Sequence, residues 1–324
     1  MGFVHTFRIM CMEFVQDIDD IIKEIKSAFI GKNTIIRTLL IGFFGNLSIL
    51  VEDIPGVGKT TLAKSLAAAS GLDFGRIQFT PDILPGDILG MNIWDQEKRE
   101  FVFRPGSIMH QFVLADEINR ASERTQAALL EAMQEETVTV DGVTYPLKKP
   151  FFLIATQNPP HYAGTFRLPE AQLDRFGISF SVGYPVSDDE IRIIDTYKER
   201  DPLQFIKSVI SPERILEMRK AVRGIFVDPK LKSYLTRIAG ETRKSNQIRT
   251  GMSPRATLHL LIASQAWAFL EKRNYLLPED VLHVAPYVLG HRLIPSADAR
   301  MEKKPVPEII REVLERVVLP TGLE

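Results

Sequence analysis

The sequence predicts an α/β domain built on a parallel sheet, followed by an all-helical domain. Three observations lead there. The first half alternates short apolar runs, "SILVED", "RIQFT", "FVLADE" and "FFLIATQNP", with helical patterns. Strands buried on both faces read as such unbroken runs, the mark of a parallel sheet covered by helices. After "GYPVSDDE" the texture changes to amphipathic helices punctuated by Pro and Gly, with no convincing strand. The length of 324 residues suits about two domains. The boundary is expected at 186/187: residues 1–186 form the α/β unit, with 1–12 a tail, and 187–324 the helical unit.

In chain order, "SILVED" leads into a glycine-bearing turn and a helix over Thr60–Ser70. "MNIWDQEKREFVFRPG" (91–106) offers two strand-like arms around a charged turn. That turn, "DQEKRE", reads as a solvated hairpin tip or as a grip on substrate. The apolar strand "FVLADE" precedes a helix over Ser122–Glu136, with Ser122 as N-cap. "VTVDGVTY" (138–145) sets Asp-Gly between two alternating β-branched runs, the strongest short hairpin signal. "FFLIATQNP" is the next buried strand. Pro185 and the acidic Ser187-Asp188-Asp189-Glu190 open the first helix of the second unit, with carboxylates at the positive end of its dipole.

Composition narrows the function. Apolar residues make up 45% and charged residues 25%, ordinary for a protein that buries a real core. A net charge of −1 supplies no global field toward nucleic acid or an anionic membrane. One cysteine, Cys11, excludes an intrachain disulfide framework and a cysteine metal site, and suits a reducing cytosol. The most apolar stretch, Thr34 to Val51, is interrupted by Arg37 and Asn46 and spans no bilayer. "MGFVHT" matches a myristoylation pattern; a frayed tail, or an early start with Met10 or Met12 as alternatives, is the plainer reading. The histidines (5, 110, 161, 259, 283 and 291) have no metal-ligand spacing.

The chemistry concentrates in "SILVEDIPGVGKTTLAKSL" (48–66). Strand, turn and helix are the context that a phosphate-binding loop requires. The loop runs Asp53, Pro55, Gly56, Val57, Gly58, Lys59, Thr60, Thr61. Gly56 and Gly58 can take positive φ and turn backbone N–H groups toward a phosphate. Lys59 would pair with the β- and γ-phosphates, and the Thr60 hydroxyl would ligate Mg²⁺. The G-x-x-x-x-G-K-[ST] pattern asks for glycine where Asp53 stands. Asp53 serves that turn through its own side-chain-to-backbone bond, so the departure leaves the site intact.

"FVLADEINR" ends its strand in Asp116-Glu117, at the carboxyl edge where α/β sheets bind ligands. Asp116 suits Mg²⁺ held largely through water, and Glu117 suits a base that orients and deprotonates the attacking water. Asn158, ending "FFLIATQNP", can hydrogen-bond both the γ-phosphate and that water. No N-K-x-D guanine-reading segment occurs, which favours ATP.

Together "PGVGKTTLA", "LADEINRASERTQAALLEAMQE", "FFLIATQNP", "LPEAQLDRF" and "MSPRA" resemble, in order and spacing, the MoxR family of AAA+ ATPases. The resemblance covers nearly the whole chain after about residue 15, and the first three motifs look like Walker A, Walker B and sensor 1. That family commonly carries an acidic pair before the loop proline, as Glu52-Asp53 does here. The resemblance implies a sheet of order 5-1-4-3-2 and hairpins inserted before and after the Walker B strand. It further implies a helical lid and a cytoplasmic, hexameric ring. It implies that Arg175 is an arginine finger; the alternative is a helix-end charge paired with Asp174 or a carbonyl. Ser253 as N-cap and Pro254 at the first helical position put Arg255 at a helix start in the lid, as sensor 2 is. Gly31-Lys32 resembles the segment near the adenine. The implied work is chaperone-like maturation of a client protein or its metal centre, often with a von Willebrand factor A partner. Two other classes stay open: a ring motor on nucleic acid, and a nucleotide-gated scaffold with little turnover.

Overall fold

The computed structural model describes residues 13–158 and 168–322; the myristoylation-like pattern, Cys11, His5 and His161 lie outside them. Two helices precede the first strand. α1 (Val15–Ala28) buries Ile18, Ile21, Ile25 and Ala28, the spacing of one helix face. α2 (Asn33–Gly45) is apolar on nearly every side and buried accordingly. It stops at Asn46, at φ 53°, a left-handed conformation that asparagine tolerates.

The α/β unit follows as β1 (Ile49–Glu52), α3 (Lys59–Ala69), β2 (Phe74–Gln78), the short α4 (Pro85–Leu89) and the hairpin β3 (Gly90–Asp95) and β4 (Glu100–Pro105). Next come β5 (Phe112–Asp116), α5 (Glu123–Glu135), the hairpin β6 (Thr137–Val140) and β7 (Val143–Pro146), β8 (Phe152–Gln157), α6 (Glu170–Leu173) and β9 (Ile178–Phe180). Five strands form one parallel sheet in the order β2-β5-β8-β1-β9. Counting those five alone along the chain, the order is the 5-1-4-3-2 that the resemblance implies. Both sheet faces are covered. Ile49, Val51, Leu114 and Ile154 pack on one side, and Leu50, Val113, Leu153 and Ala155 on the other. That two-sided burial is why β1, β5 and β8 read as apolar runs, whereas edge strand β2 alternates, with Arg76 and Gln78 exposed.

Both inserted hairpins form, before β5 and before β8. At the tip of the second, Asp141 and Gly142 take φ 49° and 81°, the pair of positive angles that a type I′ turn needs. The hairpins lean on each other: Phe103 stacks on Tyr145 at 3.9 Å, and Asn92 donates to Asp141 at 2.7 Å.

Beyond residue 186 lie α7 (Ser187–Glu199), α8 (Pro212–Arg223), α9 (Pro229–Lys244), β10 (Ile248–Thr250), α10 (Pro254–Leu270), α11 (Pro278–Leu289), β11 (Ile294–Pro295), α12 (Ala297–Met301) and α13 (Val306–Arg316). One expectation is corrected: this half does contain strand. β10 and β11 pair antiparallel, with Ile248 beside Pro295, and are too short for any alternation to show in sequence. The apolar cluster on the β1 face continues through α2 into Met218, Leu260, Val284 and Ile310, so lid and core share one hydrophobic interior. Among the described residues no helix is long and apolar enough to cross a membrane.

Candidate active site

Parallel strands deliver their last side chains to one edge, and three of them end together here. Pro55, Gly56, Gly58, Lys59, Thr60, Thr61, Asp116, Glu117 and Asn158 line a single cleft of about 330 Å³. The loop turns through Gly56 and Gly58 at φ 88° and 87°, angles that side-chain-bearing residues rarely adopt. Gly58 caps α3, so the helix aims its free N–H groups and positive end into the cleft. An apolar cavity of about 280 Å³ adjoins it, lined among others by Phe29, Gly31, Lys32, Val57, Tyr184 and Tyr197. Gly56, Gly58 and Thr61 border both spaces. A charged cleft joined to a mainly apolar cavity suits a phosphate chain continuing into a base.

Lys59 Nζ donates to the carbonyls of Asp53 at 2.7 Å and Ile54 at 3.1 Å. Burial lowers its pKa, and the carboxylates of Asp53, Asp116 and Glu117 oppose that by favouring the ammonium. Thr156 Oγ1 is the pivot of the acidic pair. It donates to Asp116 Oδ1 at 2.6 Å and accepts from the Glu117 amide at 2.9 Å. Asp116 Oδ2 also accepts from Arg76 at 2.6 Å. Glu117 sits in the left-handed region at φ 58°, a strained position for this residue. Its Oε1 accepts from Asn158 Nδ2 at 2.8 Å, and its Oε2 from Arg120 at 2.8 Å and Gln78 at 3.3 Å. The Asn158 backbone is fixed by Asn119, which donates to its carbonyl at 3.0 Å.

The oxygen donors Thr60 and Asp116 fit a magnesium ion, which takes one or two carboxylates and completes its shell with water and phosphate oxygens. Among the described residues no cluster of three or more His, Cys, Asp or Glu could cage a metal unaided. The donor set therefore suits an ion that arrives with its nucleotide.

Asp53 lies outside the cleft. It is buried, and its carboxylate accepts from Ile54 N at 2.9 Å, Ser181 Oγ at 2.9 Å and Gly183 N at 2.6 Å. It thus bolts the loop to the segment beyond β9 that walls the apolar cavity. Asp53→Gly orphans the Gly183 amide, so it is expected to cost roughly 3 kcal/mol of stability while changing ATP affinity less than tenfold. Urea unfolding beside a nucleotide titration checks both. A hundredfold change in affinity with unchanged stability would overturn this reading of Asp53.

Two of the sequence-selected residues lie elsewhere. Arg175 stands three residues before β9, where the Gly177 amide donates to Ser48 O at 2.9 Å, just ahead of β1. Arg255 reaches Gln134 at 3.3 Å in the last turn of α5. That turn is at the amino edge of the sheet, because the adjacent Glu136 meets Asn46 and Lys149, both 3.3 Å away and both preceding strands. Four-residue β1 alone separates this edge from the cleft by about 13 Å. Thr156, Arg76, Arg120 and Gln78 were not picked out by sequence reasoning. They come from neighbouring strands and a turn, and no local motif marks them.

The family model described as ATPase family associated with various cellular activities (AAA) matches residues 48–178, and one for the AAA lid domain matches 240–313. The chain is 42% identical to the uncharacterized protein YeaC of Bacillus subtilis, over 92% of this chain and 93% of that one. It is 38% identical to the chaperone MoxR1 of Mycobacterium tuberculosis, over 94% of this chain and 83% of that one. The crystal structure of a presumed ATPase from Cytophaga hutchinsonii superposes with a TM-score of 0.90 at 34% identity, covering 98% of this chain and 99% of that one.

Proposed function

Because the chain belongs to the MoxR family of AAA+ ATPases, we propose that it hydrolyses Mg-ATP in a homo-oligomeric ring, a hexamer, and uses the energy to remodel a client protein. The observation that carries this is the joining of Asp116 to Glu117 through Thr156, and of Glu117 to Asn158 directly, in one cleft with Lys59. Lys59 and the loop amides bind the phosphates, and Thr60 with Asp116 holds magnesium, whose charge offsets that on the transferring group. Glu117, steered by Asn158 and Arg120, takes the proton of the attacking water. Gly31 and Lys32 flank the base.

Arg175 and Arg255 stand a strand's length from their own chain's cleft. In a ring the amino edge of one subunit meets the cleft of the next, and both arginines then serve the neighbour's ATP. We place the core–lid boundary at 186/187 and the protein in the cytoplasm. The work is chaperone-like maturation of a client or its metal centre, with a von Willebrand factor A domain as partner. The relative MoxR1 is described as a chaperone, which supports the direction without naming the client.

Phosphate release by the purified protein is the direct test: Mg-dependent release that rises as ATP drives assembly in light scattering is expected. ATP binding without release would make the protein a nucleotide-gated scaffold. Salt-sensitive binding of single-stranded DNA, together with DNA-stimulated release, would make it a nucleic-acid motor.

A further inference from the structure

One buried lid residue makes more bonds to the segment carrying Arg175 than any other side chain does. Arg292 follows α11, and its side chain is only 3% exposed. Its Nε donates to Asp174 Oδ1 at 3.1 Å, and its Nη2 to the carbonyl of Asp174 at 3.2 Å and to that of Phe176. Its Nη1 donates to the carbonyl of Gly177 at 3.2 Å and to that of Val288 at 2.6 Å. The guanidinium thus grips the chain on both sides of Arg175. The Arg175 side chain makes no hydrogen bond or ion pair among the described residues. Its position is therefore set by the backbone that Arg292 holds.

The grip extends to the helix carrying Arg255. Ser253 Oγ donates to both Asp174 carboxylate oxygens at 2.9 Å while accepting from the Ala256 amide at 3.0 Å as the cap of α10. Asp174 is thus bound by Arg292 and Ser253, not by Arg175. His259 Nδ1 contacts Arg292 Nη2 at 2.6 Å. A guanidinium only donates, so Nδ1 must carry a lone pair. Burial and the nearby arginines push His259 down to about 3, so it is neutral at physiological pH. His291 adds a bond to the Phe176 carbonyl at 3.0 Å.

We propose that Arg292 is a positioning residue for hydrolysis: it locks the Asp174–Gly177 segment to the lid, so that Arg175 and Arg255 are presented as one unit to the neighbouring subunit. This rests on the reading that both arginines serve the neighbour's ATP. A shift of the lid would then carry the finger with it, making hydrolysis next door dependent on this subunit's lid.

The test uses full-length protein with subunit exchange verified by fluorescence transfer. Arg292→Lys keeps the charge near Asp174 but loses the fork that grips the carbonyls. Turnover is expected to fall by roughly 10- to 100-fold, with ATP affinity within twofold of the parent. Mixing with Glu117→Gln should restore activity, because each chain repairs the other's fault. Mixing with Arg175→Ala should not, because both faults lie on the same face. Asp174→Asn, a milder change, should give a smaller loss with the same pattern if Arg292→Lys folds poorly. Unchanged turnover in both variants would overturn the proposal. So would a loss that Glu117→Gln cannot complement although Arg175→Ala is complemented by it. If Arg175→Ala itself fails to complement, the trans reading falls, and this inference with it.

Discussion

Glu117→Gln is expected to bind ATP as tightly as the parent and to release phosphate roughly 10²- to 10⁴-fold more slowly, the usual loss for a positioned general base. The replacement is close to isosteric. Its amide oxygen can still accept from Asn158 Nδ2, which reaches Glu117 at 2.8 Å. That bond should keep the side chain in place while it loses its ability to take a proton, together with the pairing to Arg120 at 2.8 Å. Lys59→Ala is the informative contrast. Its ammonium is the one cation held within the loop itself, bonded to the Asp53 and Ile54 carbonyls, and without it ATP binding should fall below detection. Fluorescent-nucleotide titration read beside phosphate release separates the two. Slow turnover traceable to weakened ATP binding in Glu117→Gln would remove Glu117 from the role of base. The same variant, holding ATP and client together, is the bait for a pull-down that identifies the client.

How much of this was legible depends on how far each interaction reaches along the chain. The Asp-Gly hairpin at 141–142 was readable because the residues that need positive φ are adjacent. The strands β1, β5 and β8 were readable because burial on two faces removes polar residues from most of the run, while β9, at three residues, was not picked out. Lys59, Asp116, Glu117 and Asn158 were readable because each ends a strand or opens a helix, and position alone carries the inference. The failures are long-range. Nothing near Asp53 reveals that its carboxylate holds Ser181 and Gly183. Thr156 looks like any β-branched strand residue until its hydroxyl is seen between Asp116 and Glu117. Arg292 and His259 meet across 33 positions, and only folding brings them to the segment they hold. β10 and β11, at three residues and two, fall below the length at which periodicity exists.

Arg175→Ala is expected to stop hydrolysis while leaving ATP binding nearly intact, as the proposed ring, in which its guanidinium serves the neighbour's site, requires. Arginine fingers supplied in this way are worth about 10³–10⁵ in rate. The geometry favours that assignment over a structural one. Asp174, the nearest acid in sequence, is bound by Arg292 at 3.1 Å and by Ser253 at 2.9 Å, so losing Arg175 breaks no ion pair among the described residues. The variant should therefore melt within a degree or two of the parent. Glu117→Gln damages the same reaction from the opposite side of the interface, and each variant alone should be nearly inactive. Mixed under conditions where subunits exchange, some interfaces combine an intact Glu117 with an intact Arg175, and activity should reappear. Random mixing in equal amounts makes one interface in four fully competent, so recovery toward a quarter of parental activity is the ceiling if interfaces fire independently, and less if the ring requires neighbours to act together. A structural Arg175 predicts another outcome: earlier melting, activity lost in proportion to folded protein, and no recovery in mixtures proven to exchange.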